Sequence, residues 1–305
     1  MRRADAGPRR LVGLDWLRSI ALVLVVLRHV SEVTAVPITP DVLGLDQGQI
    51  GVALFCAMAG FFALGGSRPV GRWAFDRARR LFPAYWVVTL ALFAANAVTS
   101  YKPATPSLFV SQMLGLGYFT HGGEHLINVP SWFLSLILTC YAIAAVVRVA
   151  PGRRPVLAGW LAVIIVMVAF RVQTDFTRQI LAFVCGMSVA AFAVPAAPPA
   201  FRAALIMLLA GVPWLWPDLG YAAWAVAALI VAAAAPWPDG RIVSFVADHS
   251  YEMFLVHGPI VVFFVRMMRV PLVWALGLAL IVTVMTAVSL RRGVLFLESL
   301  AVRGD

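Results

Sequence analysis

Charge is scarce in this chain, and lysine is nearly absent. Only 12% of its 305 residues are charged, and Lys102 is the one lysine among 24 basic residues. A soluble domain carries about 25% charged and roughly 45–50% apolar residues. Here the apolar fraction is 62% and the mean hydropathy +0.91, which excludes an ordinary soluble protein. Cysteine is equally rare. Cys56, Cys140 and Cys185 all lie inside apolar blocks and read as packed thiols rather than disulfides or metal ligands. Barrel-type alternation of polar and apolar residues is missing, so the expected class is all-α. The net charge of +10 does not imply nucleic acid, because the arginines cluster in short loops between apolar blocks, where they set orientation in a bilayer.

What the chain does have is apolar runs. A helix needs about 20 residues to cross a bilayer. By run length there are about ten candidate spans, near 14–34, 49–66, 81–99, 129–149, 156–171, 178–194, 200–216, 219–236, 250–268 and 272–290. Pro and Gly punctuate them at Pro103, Pro106, Pro151-Gly152, Pro198-Pro199, Pro236 and Pro271. The seventh and eighth spans are weakly divided, and a re-entrant pair is an alternative there. The basic opening Met1–Arg10 resembles a leader, yet no small-residue cleavage site follows, so the first span is read as uncleaved. The reading is a polytopic transmembrane bundle, one domain over 1–305, with no soluble domain attached and no internal repeat.

Arginine asymmetry orients it. The N-terminal tail, the loop with Arg68, Arg72, Arg77, Arg79 and Arg80, Arg153 and Arg154, and Arg291 and Arg292 fall on one side. Glu32, Asp41, Asp46, Glu124 and Asp218 fall on the other, with Arg266 and Arg269 as exceptions. Both termini are thus expected in the cytoplasm. The long outer loops are expected at about 35–48 and 100–128.

The first span carries Arg18 and, eleven residues on, His29. At about 100° per residue they fall within roughly 20° of one helix face and about 16 Å apart. An ionisable group in a span is costly and marks a functional site by default. Arg28 and Glu32 read more simply as an i,i+4 pair at a helix end. Ser250 and His257, seven residues apart, share a face of the ninth span. His257 faces either the same cavity as His29 or a neighbouring helix. In the fourth span Ser135 and Thr139 share a face; helix-packing hydroxyls would look the same. His121-Gly122-Gly123-Glu124-His125 matches a metalloprotease pattern literally, but Gly-Gly disfavours the helix that pattern needs, and no metal site is expected.

Four segments together resemble the acyltransferase-3 family of bacterial membrane O-acyltransferases. Leu14-Asp15-Trp16-Leu17-Arg18 through His29 is similar to its opening, with the arginine-x10-histidine motif. Gly51-Val52-Ala53-Leu54-Phe55 with Gly60-Phe61-Phe62 resembles the second-span pattern, although Ala59 stands where serine is usual. Phe75 through Tyr85 resembles the basic loop, with Arg77 and Arg80 as its arginine pair. Ser250-Tyr251 through Leu255-Val256-His257 resembles a late segment. The fourth span departs from the family pattern: after Trp132-Phe133-Leu134-Ser135 come Leu136-Ile137-Leu138, without the acid that usually follows.

The resemblance implies transfer of an acyl group, acetyl by default, from cytoplasmic acyl-CoA to a hydroxyl of a glycan, lipid-linked sugar or glycosylated metabolite. His29 would serve as base or nucleophile. Arg18 would act with it, and Arg77 and Arg80 would bind the donor phosphates. Asp15, Trp132, Ser135, Ser250 and His257 would line the cavity. Acyl-CoA is the donor substrate, with no permanently bound cofactor. Membrane lipids are partners and nucleic acid is not; the location is the inner, or plasma, membrane. The rival is a proton-coupled transporter or flippase, against which stands the lack of an acid deep in any span to partner a histidine. A non-catalytic membrane partner is the third reading.

Overall fold

Proline, glycine and side-chain caps cut the described residues into twelve α-helices. The computed structural model describes residues 11–303 apart from 39, 67 and 173; the basic tail at 1–10 lies outside the described residues. In order they are α1 (Val12–Thr34), α2 (Gln47–Ala63), α3 (Val70–Thr99), α4 (Pro106–Met113), α5 (Gly117–His121), α6 (Trp132–Val149), α7 (Arg153–Ala169), α8 (Thr174–Ala191), α9 (Pro199–Leu215), α10 (Pro217–Ala234), α11 (Arg241–Val262) and α12 (Leu272–Arg303). A 3-10 turn, Val129–Ser131, leads into α6, a second, Val194–Ala196, precedes α9, and a π turn, Phe263–Met267, ends α11. No strand forms among the described residues. Local chemistry sets the starts. Asp46 caps α2 by accepting from the Gln49 N–H at 2.9 Å. Thr105 caps α4 by accepting from the Leu108 N–H at 3.1 Å, with Pro106 in the first turn.

The ten long helices fall on the ten apolar runs of the sequence. Five stretches are long and apolar enough to cross a membrane: Val70–Thr99, Val129–Val149, Pro217–Ala234, Arg241–Met267 and Leu272–Phe296. α2 and α9 are apolar but shorter. The centre is α2, packed on α1, α8 and α10. Small residues permit this. A methyl group on Gly60 would collide with the Phe183 carbonyl of α8, and one on Gly186 with the Ala57 carbonyl of α2. α12 lies at the rim, where Val273, Trp274, Leu280 and Met285 stay exposed as a lipid-facing surface would.

α2 runs antiparallel to α1, and Trp16 of α1 donates to the Pro238 carbonyl just before α11. Arg291 of α12 donates to the Asp248 carbonyl. The start of α1, the start of α11 and the later half of α12 therefore share one face. Arg68, Arg72, Arg77 and Arg148 gather on that face. Arg148 ties the end of α2 by donating to the Ala63, Gly65 and Arg68 carbonyls at 2.9, 3.2 and 2.8 Å.

The opposite face is mixed rather than acidic. Arg28 meets Glu32 at 3.0 Å, as the spacing predicts, and also Asp46 at 2.8 Å. Arg178 stacks on the Tyr221 ring at 4.3 Å, bonds Asp175 and lies 3.9 Å from Asp218. The arginine exceptions on this face thus extend beyond Arg266 and Arg269, and carboxylates answer both Arg28 and Arg178.

The expected outer loop 100–128 is corrected in part. After α3, α4 and α5 fold back against α3 and α6 instead of remaining in solvent. Gln112 and Leu126 are completely buried. Tyr85, midway along α3, donates to the Gln112 carbonyl at 2.6 Å, and Trp86 to Met113 at 2.8 Å. Ser135 donates to the Gly115 carbonyl at 2.6 Å. Lys102 closes the base of this hairpin on the Glu124 and Leu126 carbonyls at 2.9 and 2.8 Å. Its ammonium is held below the usual lysine range by burial, with the Glu124 charge opposing.

Candidate active site

α1 and α11 cross so that two histidines 228 residues apart meet: His29 Nδ1 lies 2.7 Å from His257 Nε2. The ring centroids are 4.9 Å apart and the planes differ by 14°. That separation equals the hydrogen bond plus two ring radii, so the rings meet edge to edge in nearly one plane rather than face to face. His257 Nδ1 lies 3.1 Å from the Met253 carbonyl. A carbonyl can only accept, so His257 carries its proton on Nδ1 and, when neutral, leaves Nε2 as an acceptor. His29 must then donate from Nδ1, and its own Nε2 keeps the lone pair. One backbone oxygen thus fixes the tautomers of two rings. His257 is 1% exposed, whereas His29 is half-buried and is the accessible member.

Aromatic side chains pack beside the pair. Phe254 lies 5.9 Å from the His257 ring, 5.0 Å from Phe133 of α6 and 6.2 Å from Phe55 of α2, by ring centroids. Above this layer Pro130 of the Val129–Ser131 turn packs on Gly258. α1, α2, α6 and α11 therefore all contribute to the neighbourhood of the histidines. An apolar surround strengthens each hydrogen bond within it.

The other candidates divide. Arg18 is half-buried on α1, three turns from His29 on the same helix face. Arg77 is half-buried, with its guanidinium 5.9 Å over the Trp73 ring, 5.8 Å over the Tyr141 ring and 3.4 Å from the Phe62 carbonyl. It braces the end of α2 as Arg148 does. Arg80 is exposed. Asp15 is buried in the first turn of α1. Ser250 is buried and donates to the Ala247 carbonyl of its own helix at 2.9 Å. Ser135 is committed to Gly115, and Trp132 stands half-buried against Phe133. The structure brings His29 and His257 together; it engages Ser135 and Ser250 in packing bonds.

One sequence reading changes. An acid does lie within a span: Glu252 of α11 is 9% exposed and its carboxylate is 3.9 Å from Arg291 of α12. Five residues before His257, it points about 140° away around the helix, and Arg291 is its ion-pair partner. The His121–His125 segment has no helical register, because α5 ends at His121 and Gly122 takes φ +77°. His121 instead lies within hydrogen-bonding distance of Ser107, Ser111 and Thr120. Among the described residues no three His, Cys, Asp or Glu side chains gather to hold a metal ion.

Sequence reasoning missed Gln112, Asn128 and Arg148. Arg148 carried the signal of a cation in the last turn of an apolar helix. Gln112 and Asn128 are polar residues in an expected loop and carried none.

No curated protein and no solved structure matches the chain. A family model does: residues 11–174, more than half of the chain, match the one described as an acyltransferase domain, and their span includes Arg18, His29, Arg77 and Arg80. With its helical architecture and membrane-length apolar helices, the chain belongs to the acyltransferase-3 family.

Proposed function

We propose that this membrane acyltransferase moves an acyl group, acetyl in the first instance, from cytoplasmic acyl-CoA to a hydroxyl of a glycan or glycosylated acceptor. The observation that carries the reading is the chain Met253 carbonyl, His257, His29, which leaves His29 Nε2 as a fixed, accessible base in a family member. In the reaction His29 Nε2 takes the proton of the acceptor hydroxyl as its oxygen attacks the thioester carbonyl carbon. The new C–O bond forms, the C–S bond breaks, and the leaving thiolate takes the proton back from His29. During the step His29 Nδ1–H still donates to His257, so the transient imidazolium keeps an acceptor without a carboxylate. Arg18 and the exposed Arg80 supply guanidinium forks for the anionic end of the donor.

The arginine-rich face that holds the starts of α1 and α11 is the cytoplasmic one in this reading, with both termini inside the plasma (inner) membrane and ten crossings. A carrier would also place ionisable groups within spans, but it would leave acyl-CoA intact. The test uses purified protein, radiolabelled acetyl-CoA and a hydroxyl acceptor. Label is expected in an ester product, and His29→Ala should lower its rate by about 10²–10⁴-fold, the range of a lost general base. Wild-type protein that moves no label would refute the proposal, as would a His29→Ala variant of unchanged rate.

A further inference from the structure

Asn128 is completely buried, and neither its Oδ1 nor its Nδ2 has a hydrogen-bond partner. Among the described residues it alone leaves both ends of a side-chain amide unpaired. Buried polar groups are nearly always bonded, and each exception asks for an explanation. Asn128 is not a side chain adrift in a loose loop, because Gln112 holds the residues on both sides of it. The Ile127 N–H donates to Gln112 Oε1 at 3.1 Å, and Gln112 Nε2 donates to Ser131 Oγ at 2.9 Å. The Ser131 N–H closes the turn on the Asn128 carbonyl at 2.9 Å.

The turn is also registered against the histidines. Phe133 meets Phe254, and Pro130 meets Gly258, the residue after His257. These two contacts fix the stretch of chain entering α6 against α11, and Asn128 lies on that stretch two residues before Pro130. A buried, unpaired amide thus lies on the segment that packs against the residue following His257.

We infer that Asn128 is a further catalytic residue, whose Nδ2–H donates to the acyl carbonyl oxygen as the acceptor adds to the thioester. This rests on the proposed acyl transfer. Attack on the thioester turns its carbonyl oxygen into an oxyanion, and the pair His29–His257 has no N–H left to offer it: one Nδ1–H serves the other ring, and the other serves Met253. A neutral amide donor held in a water-poor site is suited to that charge, because it costs no reorganisation when the charge appears. The Oδ1 atom then accepts from an N–H or O–H of the bound substrates.

The experiment compares Asn128→Leu and Asn128→Ala with wild type, using acetyl-CoA and a hydroxyl acceptor, and measures kcat, KM and Tm. Loss of the donor should lower kcat by about 10²–10³-fold. The KM for acetyl-CoA should change less than about threefold, as for an interaction made only in the transition state. The Tm should hold or rise, since each variant removes an unpaired amide from the interior. Should the leucine variant not fold, the alanine variant carries the same readouts. A kcat within about threefold of wild type, in a preparation where His29→Ala is inactive, overturns the role of Asn128 and leaves the acyl-transfer reading standing. A Tm that falls with kcat in the folded variants also overturns it, by showing a packing group. Wild-type protein inert toward acetyl-CoA overturns the reading on which the inference rests.

Discussion

Gly60 of α2 lies against Phe183 of α8 and Gly186 of α8 against Ala57 of α2, each so close to the other helix that a single methyl group would strike a backbone carbonyl. Neither obstacle is a flexible side-chain tip, so the helices themselves must part to admit a β-carbon. Gly60→Ala and Gly186→Ala are expected to destabilise the protein by about 1–3 kcal/mol, the usual cost of overpacking. Thermal melting in detergent checks this. The family-type glycine of the second span is thereby a packing requirement, and either alanine variant melting like wild type would show that the helices have room to spare.

In the proposed mechanism His257 acts on substrate only through His29, so its removal should spare folding more than rate. His257→Gln retains a side-chain oxygen that can accept from His29 Nδ1–H; His257→Phe does not. The phenylalanine variant should lose about 10²-fold in kcat and the glutamine variant roughly tenfold or less. Equal losses in the two variants would show that the hydrogen bond to His29 does not matter.

Arg77 and Arg80 are three residues apart yet should behave differently. Arg77 braces Phe62, Trp73 and Tyr141, while Arg80 is exposed. Arg80→Ala should raise the KM for acetyl-CoA at unchanged Tm, with Arg80→Lys a partial rescue because lysine lacks the planar fork. Arg77→Ala should lower Tm as well. If the acceptor's KM rises and that of acetyl-CoA stays put, donor binding lies elsewhere.

Ser135 belongs to the family-type fourth-span segment, but its hydroxyl holds the Gly115 carbonyl at the tip of the folded-back hairpin. Ser135→Ala should cost about 0.5–1.5 kcal/mol of stability, the net value of one hydrogen bond, with turnover per folded molecule nearly unchanged. A loss of turnover without loss of stability would return Ser135 to the substrate path.

The proposed orientation predicts an asymmetry between compartments. With sealed, right-side-out vesicles and an impermeant acceptor outside, product should form only when acetyl-CoA is loaded within. Equal rates with acetyl-CoA outside intact vesicles would contradict the orientation.

The helices were legible because their punctuation is local: Pro106, Pro199, Pro217 and Pro271 each sit at a start or just before it, and the ten runs became ten long helices. Arg28 and Glu32 were legible for the same reason, being one turn apart. The folded-back α4 and α5 were not. Eight- and five-residue helices rich in Ser, Gln and Gly have no crossing length, and Gln112 finds its use only against Ile127 and Ser131. At the site, Arg18 and His29 could be read from one helix. The meeting of His29 with His257 could not, because a spacing of 228 residues has no helical phase; it follows from how α1 crosses α11. Glu252 was passed over for a related reason, since its partner Arg291 comes from another helix.

The two-histidine chain has a consequence for energetics. It contains no carboxylate and ends on a backbone carbonyl, so with both rings in their neutral form the centre carries no charge. In the proposed cycle the proton lifted from the acceptor returns to the departing sulfur, and the acyl group that crosses carries no charge. Turnover should therefore be insensitive to transmembrane voltage and to collapse of a proton gradient by an ionophore. A bilayer-embedded catalyst of this kind draws its driving force from thioester cleavage alone.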